Sequence, residues 1–178
     1  MTERIIMAGA GGQGIMLLGK VLAMAAMRAG KFVTWLPAYG AEVRGGTAHC
    51  MVIISDQEIG SPYINKADTL IIMNKPSLER FKSRIKDKGL VLVNSSLVDI
   101  HRRCNGRALL CPFTELAMKL GNIKVANMVA LGAFLSQRSI FNLKDIFGVI
   151  SDIAPEGKRG LIEINKRALE EGAKYGSR

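Results

Sequence analysis

Metal-binding side chains are scarce in this 178-residue chain. The three cysteines, Cys50, Cys104 and Cys111, are odd in number and widely spaced, and no Cys-x-x-Cys occurs. That spacing argues against a cysteine-ligated iron–sulfur cluster or zinc site within this chain alone. The plain reading is buried or idle thiols in a reducing compartment. His49 and His101 are the only histidines, and their neighbours support no metal site. Long apolar runs are missing too. No stretch reaches the roughly 18–20 uncharged apolar residues that a membrane span needs. Residues 5–27 come closest, but a glycine loop and Lys20 interrupt them. No basic-then-apolar leader opens the sequence, so a cytoplasmic protein is expected.

Acidic residues are in deficit. Fifteen Asp and Glu stand against 25 Lys and Arg, a formal charge of +10 at pH 7. A basic balance admits nucleic acid, an acidic protein partner or a phosphorylated ligand. The basic residues are spread along the chain, with denser groups at 80–88, 102–107 and 158–167. There is no arginine-rich tail and no aromatic–basic interleaving of the RNA-binding kind. A solvated basic surface is the simplest account, and a nucleic-acid-binding module stays open as an alternative on charge alone.

What is present is a core. Apolar residues make up 48% of the chain, and the length suits one domain over residues 1–178. The run 4–10 reads as a buried strand. A helix follows from Gly14 to Ala29, apolar almost all round, with Gly30 as its stop. Strands are expected at 31–37, ended by Pro37, and at 48–56, 68–74, 89–96 and 106–112. Pro76 opens a helix over 76–86 at its first helical position. From Phe113 onward the chain reads as four helices, at 113–121, 125–139, 143–154 and 160–176. The expected fold is α/β, a three-layer α/β/α domain with a mostly parallel or mixed sheet. Its first β-loop-α unit is Rossmann-like and its C-terminal part helical.

Two glycine-rich segments carry whatever chemistry the chain has. The first is Gly9-Ala10-Gly11-Gly12-Gln13-Gly14, whose Gly-x-Gly-x-x-Gly spacing fits the nucleotide fingerprint. An NAD site also needs an acid about twenty residues on, at the end of the second strand, to hold the ribose. Thr34, Trp35, Leu36 and Pro37 supply neither a carboxylate nor an arginine for a 2′-phosphate, and Glu42 lies past the proline. A P-loop is excluded because no Gly-Lys-Ser/Thr ends the loop. Two readings survive: close packing of strand on helix, or a nest for an anion of another ligand or of a partner chain. Gln13 favours a polar task, since its amide both donates and accepts. A free-standing Rossmann-type nucleotide-binding oxidoreductase is the first alternative, separable by NAD or FAD titration.

The second segment places Tyr39, Gly40, Glu42, Arg44, Gly45 and Gly46 in one loop. Arg44 is a planar donor for carboxylate or phosphate, and Glu42 could pair with it inside a structural turn. In a parallel sheet both loops would follow carboxyl ends of strands, where ligands of such folds gather. Asn127 stands at the start of a helix, where capping, an interface contact and packing are all open, with packing the plainest.

The segments "GAGGQGIMLLGKVLA", "YGAEVRGGTAHCMVIISDQEIGSP", "VLVNSS" and "NMVALGAF", in this order, resemble the gamma subunit of the 2-oxoacid:ferredoxin oxidoreductases along nearly the whole chain. The resemblance implies a component of a multi-subunit enzyme that oxidatively decarboxylates a 2-oxoacid to an acyl-coenzyme A and passes electrons to ferredoxin. It implies alpha, beta and delta partner subunits, with thiamine diphosphate and magnesium between alpha and beta and iron–sulfur clusters on delta. It implies that this chain alone binds no cofactor and holds no catalytic residue, and that Gly9, Gly11, Gly12, Gln13, Gly14, Tyr39, Gly40, Glu42, Arg44, Gly45 and Gly46 form cofactor-binding or interface loops. No Gly-Asp-Gly with a following asparagine, no set of four cluster cysteines and no acid–base pair stands in the sequence, as a non-catalytic subunit requires. Pyruvate, 2-oxoglutarate and branched-chain 2-oxoacids all fit. The short separate chain leans towards the latter two.

Overall fold

The computed structural model describes residues 1–38, 47–99, 106–154 and 159–177. The loop residues Tyr39, Gly40, Glu42, Arg44, Gly45 and Gly46, and with them His101 and Cys104, lie outside the described residues. Six strands form one sheet: β1 (Thr2–Ala10), β2 (Phe32–Ala38), β3 (Thr47–Ser55), β4 (Ala67–Ile72), β5 (Ile85–Asn94) and β6 (Arg107–Cys111), in the order β2-β3-β1-β4-β5-β6. β1, β4, β5 and β6 pair in parallel, while β3 runs antiparallel to both β1 and β2. The sheet is therefore mixed, with one reversed strand.

Alternation sorts the sheet into two faces. Ile5 and Met7 of β1 join Cys50, Val52 and Ile54 of β3 on one face, under α1 (Ile15–Arg28), α3 (Phe113–Lys119), α4 (Ala126–Gln137), α5 (Leu143–Ile153) and α6 (Arg159–Gly176). Ile6 and Ala8 join Met51, Ile53 and Ile72 on the other, under the short α2 (Lys75–Phe81) with Ile64, Ile85 and Val98. Both faces are covered, one far more thickly than the other.

Local chemistry explains most boundaries. α1 ends in a Schellman turn: Gly30 has φ 68°, its N–H donates to the Met27 carbonyl (3.1 Å), and Lys31 N–H donates to Ala26 (3.0 Å). Asn142 and Asp145 make a capping box on α5. Two expectations need correction. Pro37 does not end β2, which runs on to Ala38. β2 is an edge strand, where a missing N–H costs the ladder nothing when it points outward. The helix expected over 76–86 stops at Phe81, a 3₁₀ turn covers Lys82–Arg84, and β5 already begins at Ile85. Asn74 caps α2 by accepting from Ser77 N–H (3.1 Å), which puts Pro76 at the second helical position.

α4 is the hub. Every residue from Ala126 to Leu135 is buried, between the sheet and α6. Gly132 and Gly172 make that contact possible: a Cβ on Gly132 would fall on the Leu169 carbonyl oxygen, and one on Gly172 on that of Val129. The two backbones touch, so any side chain there must push the helices apart.

Candidate functional site

β1 delivers the chain to the carboxyl rim of the sheet at Ala10, where Gly11–Gly14 turns it into α1. The turn needs glycine at two places. Gly12 has φ 87° and Gly14 has φ 71°, the left-handed region that a Cβ disfavours. Gly9 serves a different need: a Cβ there would come within 2.6 Å of Gln13 Oε1 and 2.8 Å of Met73 Cβ. Gln13 closes the loop on itself. Its Oε1 accepts from Ala10 N–H (2.7 Å), and its own N–H donates to the Ala10 carbonyl (3.2 Å). The polar task expected of Gln13 is thus met in part inside the loop.

Gly14 is the N-cap of α1 and brings no side-chain cap. Its carbonyl accepts the first helical bond, from Leu18 N–H (3.0 Å). Among the described residues the N–H groups of the opening turn have no side-chain acceptor, and α1 has no acidic residue there. A helix start of this kind attracts anions by its free donors and its dipole. A cavity of about 320 Å³ lies against the loop, lined by Ala10, Gly11, Gly12, Gly14, Ile15, Met16, Ala38 and Ala48. Gly11 and Gly12 are exposed on it.

All five residues predicted for the first loop are brought together here. The six of the second loop lie outside the described residues, but the strands that flank them are described. β1 and β2 run the same way, on either side of β3. Ala10 stands opposite Thr47, and Ala38 opposite His49, so the chain leaves β2 and enters β3 on the rim that carries Gly11–Gly14. On the other side of β1, β4 ends with Met73 N–H donating to the Ala8 carbonyl (2.8 Å) and hands over to α2. α1 and α2 cover opposite faces, so the connections from β1 and β4 diverge. A crevice at such a switch point is where α/β sheets place ligands. Exposed Lys75 opens α2 beside it.

Two asparagines brace this rim: Asn94, which the sequence offered only within a longer motif, and Asn127, singled out at the start of its helix. Asn94, fully buried at the end of β5, donates from Nδ2 to the Met73 carbonyl (3.2 Å) and to Thr114 Oγ1 (2.9 Å), and accepts from Thr114 N–H (3.3 Å). Asn127 reaches from α4 to the Gly14 carbonyl (3.2 Å). A buried asparagine at the end of an apolar strand or the start of an apolar helix was the available signal, since such an amide must find partners.

The rim carries no described group suited to proton or nucleophile chemistry. Cys50 is buried behind the loop, its thiol donating towards the Ile15 carbonyl (3.5 Å) and beside Met7 Sδ (3.8 Å). Burial pushes it up to about 12, and Cys111 likewise to about 12, so neither is a thiolate at neutral pH. This matches the reading of buried, idle thiols for those two. His49 points to the opposite face, its ring 4.9 Å from that of Phe81, with its pKa lowered by burial and then by Arg80. Among the described residues no three His, Cys, Asp or Glu side chains gather to hold a metal ion. Among the described residues the donor set suits a phosphate at the glycine turn and offers no ligand set for an iron–sulfur cluster or a magnesium diphosphate. No helix among the described residues is long and apolar enough to cross a membrane.

A second polar cluster sits at the opposite rim. Glu3, 8% exposed, accepts from Thr69 Oγ1 (2.6 Å) and pairs with Arg138 Nε (3.2 Å). Arg138 also donates to the Asp68 carbonyl (3.2 Å), and Asp68 pairs with Lys86 and Arg4. Burial raises the pKa of Glu3 despite Thr69 and Arg138. Each of these groups has a partner within the fold, which marks the cluster as a clamp.

Comparisons with known proteins bear on the family and the fold. The profile of the family described as pyruvate ferredoxin/flavodoxin oxidoreductase matches residues 4–175. Subunit VorA of the ketoisovalerate oxidoreductase of Methanothermobacter marburgensis is 36% identical over 97% of this chain and 36% of its own length, so the chain spans about a third of that relative. The gamma subunit of a keto/oxoacid ferredoxin oxidoreductase from Geobacter sulfurreducens superposes with a TM-score of 0.84 at 28% identity, over 98% of both chains. The 2-oxoglutarate:ferredoxin oxidoreductase of Magnetococcus marinus, solved with 2-oxoglutarate, coenzyme A and succinyl-CoA bound, gives 0.89 at 25% identity, over 98% of this chain and 31% of that one.

Proposed function

The chain belongs to the pyruvate ferredoxin/flavodoxin oxidoreductase family, and from that premise we propose that it is the gamma component of a 2-oxoacid:ferredoxin oxidoreductase. It works in the cytoplasm beside alpha, beta and delta components, with ferredoxin as acceptor, and is not catalytic alone. The observation that carries this reading is the full-length match to a solved gamma subunit.

Thiamine diphosphate with magnesium, and iron–sulfur clusters, supply decarboxylation and electron transfer on the sibling components. This chain's part is binding. The N–H groups at the start of α1, which have no side-chain acceptor among the described residues, and the left-handed turn at Gly12 and Gly14 suit a phosphate of coenzyme A. Gln13 holds that turn shut, exposed Lys75 is a described cation beside it, and Arg44 is the candidate cation of the second loop. Tyr39, Gly40, Glu42, Gly45 and Gly46 complete the wall or face the alpha component.

The test is assembly and turnover. The chain alone should turn over no 2-oxoacid and bind neither NAD nor FAD tightly, and it should co-purify with a thiamine-binding sibling. Arg44→Ala should raise the KM for coenzyme A or weaken assembly. Unaided turnover by the isolated chain, or purification without such a sibling, would refute the proposal.

A further inference from the structure

We propose that Asn127 is the positioning residue of the glycine loop, holding Gly14 in the conformation that aims the start of α1 at the rim. This rests on the reading of that loop as the coenzyme A phosphate site. Asn127 lies in the first turn of a helix buried from Ala126 to Leu135, and is itself 2% exposed. A buried amide without partners would be costly, and this one spends both ends. Oδ1 accepts from Met128 N–H (2.9 Å), a donor of the first turn of α4. That bond leaves Nδ2 as the end that faces the loop, where it donates to the Gly14 carbonyl across 113 positions of sequence.

The target of that bond is the pivot of the loop. The Gly14 carbonyl already accepts from Leu18 N–H, so it joins α1 to α4 through one oxygen. Gly14 sits at φ 71°, and a Cβ there would fall on Asn127 Nδ2. The amide occupies the space that the missing side chain leaves. Rotation of the Gly14 peptide would break the bond to Asn127 and turn the first helical N–H groups away from the cavity lined by Gly11, Gly12 and Gly14. An asparagine serving only to fill space would be replaceable by an apolar side chain of like volume. A positioning residue would not.

Hydrogen exchange of this chain within the purified assembly tests the idea, together with steady-state kinetics for coenzyme A. Asn127→Asp keeps shape and removes the donor, and Asn127→Leu keeps bulk and removes all polarity. Either change should speed exchange at the Gln13 and Leu18 amides, which report the loop and the first helical bond, by about tenfold, the scale of one lost hydrogen bond. The KM for coenzyme A should rise about as much, with kcat changed less than about twofold, as expected when binding alone is lost. Unchanged exchange at both amides in a folded variant would overturn the positioning role, whatever the kinetics. Faster exchange with an unaltered KM would leave Asn127 holding the loop and would overturn the coenzyme A reading instead. If Asn127→Asp does not fold, Asn127→Leu alone decides.

Discussion

The two rims of this sheet are built on opposite principles. The amino-terminal rim is rich in charge: Glu3, Asp68, Arg4, Lys86 and Arg138 surround buried Thr69 and pair with one another. The described part of the carboxyl rim is poor in it. There the glycine turn, Ile15, Met16, Ala38 and Ala48 line a cavity, and its donors are helix N–H groups with no side-chain acceptor among the described residues. The charged rim is complete, so it stabilises. The described part of the plain rim leaves helix donors open, which suits the proposed binding role. A dense cluster of ionisable residues is therefore a poor guide to function here, and unpaired backbone groups are the better one.

α4 runs between these rims, about 18 Å long for its 12 residues. Arg138, its C-cap, reaches Glu3, and Asn127, in its first turn, reaches Gly14. The largest effect should come from unseating this rod. Gly132→Val would force α4 from α6 and should cost about 4 kcal/mol or more, in the exceptional range for one substitution. Denaturant unfolding would show it as a loss of both rims together, and independent loss of one would break the picture of a shared rod.

Gly14→Ala should act on the binding rim. Left-handed strain of about 1–3 kcal/mol, added to the collision with Asn127, should lower stability and also the affinity for coenzyme A in the assembly. Arg138→Ala should act on the clamp. It leaves the Glu3 carboxylate without its ion partner and should cost about 1–2 kcal/mol, with no change in KM for coenzyme A. A KM effect there would show the rims to be coupled.

The smallest effect should be Glu3→Gln. Burial raises the Glu3 pKa in the fold, so the folded state holds this proton more tightly than the unfolded chain. Its stabilising contribution is present below the ordinary carboxylate range and is lost as pH rises through the raised value. Glu3→Gln should flatten stability against pH in that interval and change stability at neutral pH by less than about 1 kcal/mol. A pH profile unchanged by the substitution would refute the assignment.

Much of this was legible in order of residues. Apolar runs punctuated by glycine and proline predicted each strand and helix to within a few positions, because burial and turn chemistry act locally. The exceptions are instructive. Pro37 reads as a stop, yet it sits inside β2 because only the sheet order makes that strand an edge. Lys82–Arg84 continue a helical pattern, yet the chain must straighten to meet β4 at Ile85. The glycine loop was recognisable from spacing alone, but not what holds it.

Sequence by itself determined the elements, the glycine turn and the missing acid that argues against a dinucleotide, since these depend on backbone freedom and on which side chains exist at all. Tertiary structure alone decided that β3 runs backwards, that α1 and α2 take opposite faces, and that Asn127 meets Gly14. Those outcomes depend on pairings between residues far apart in the chain, and no local propensity encodes them.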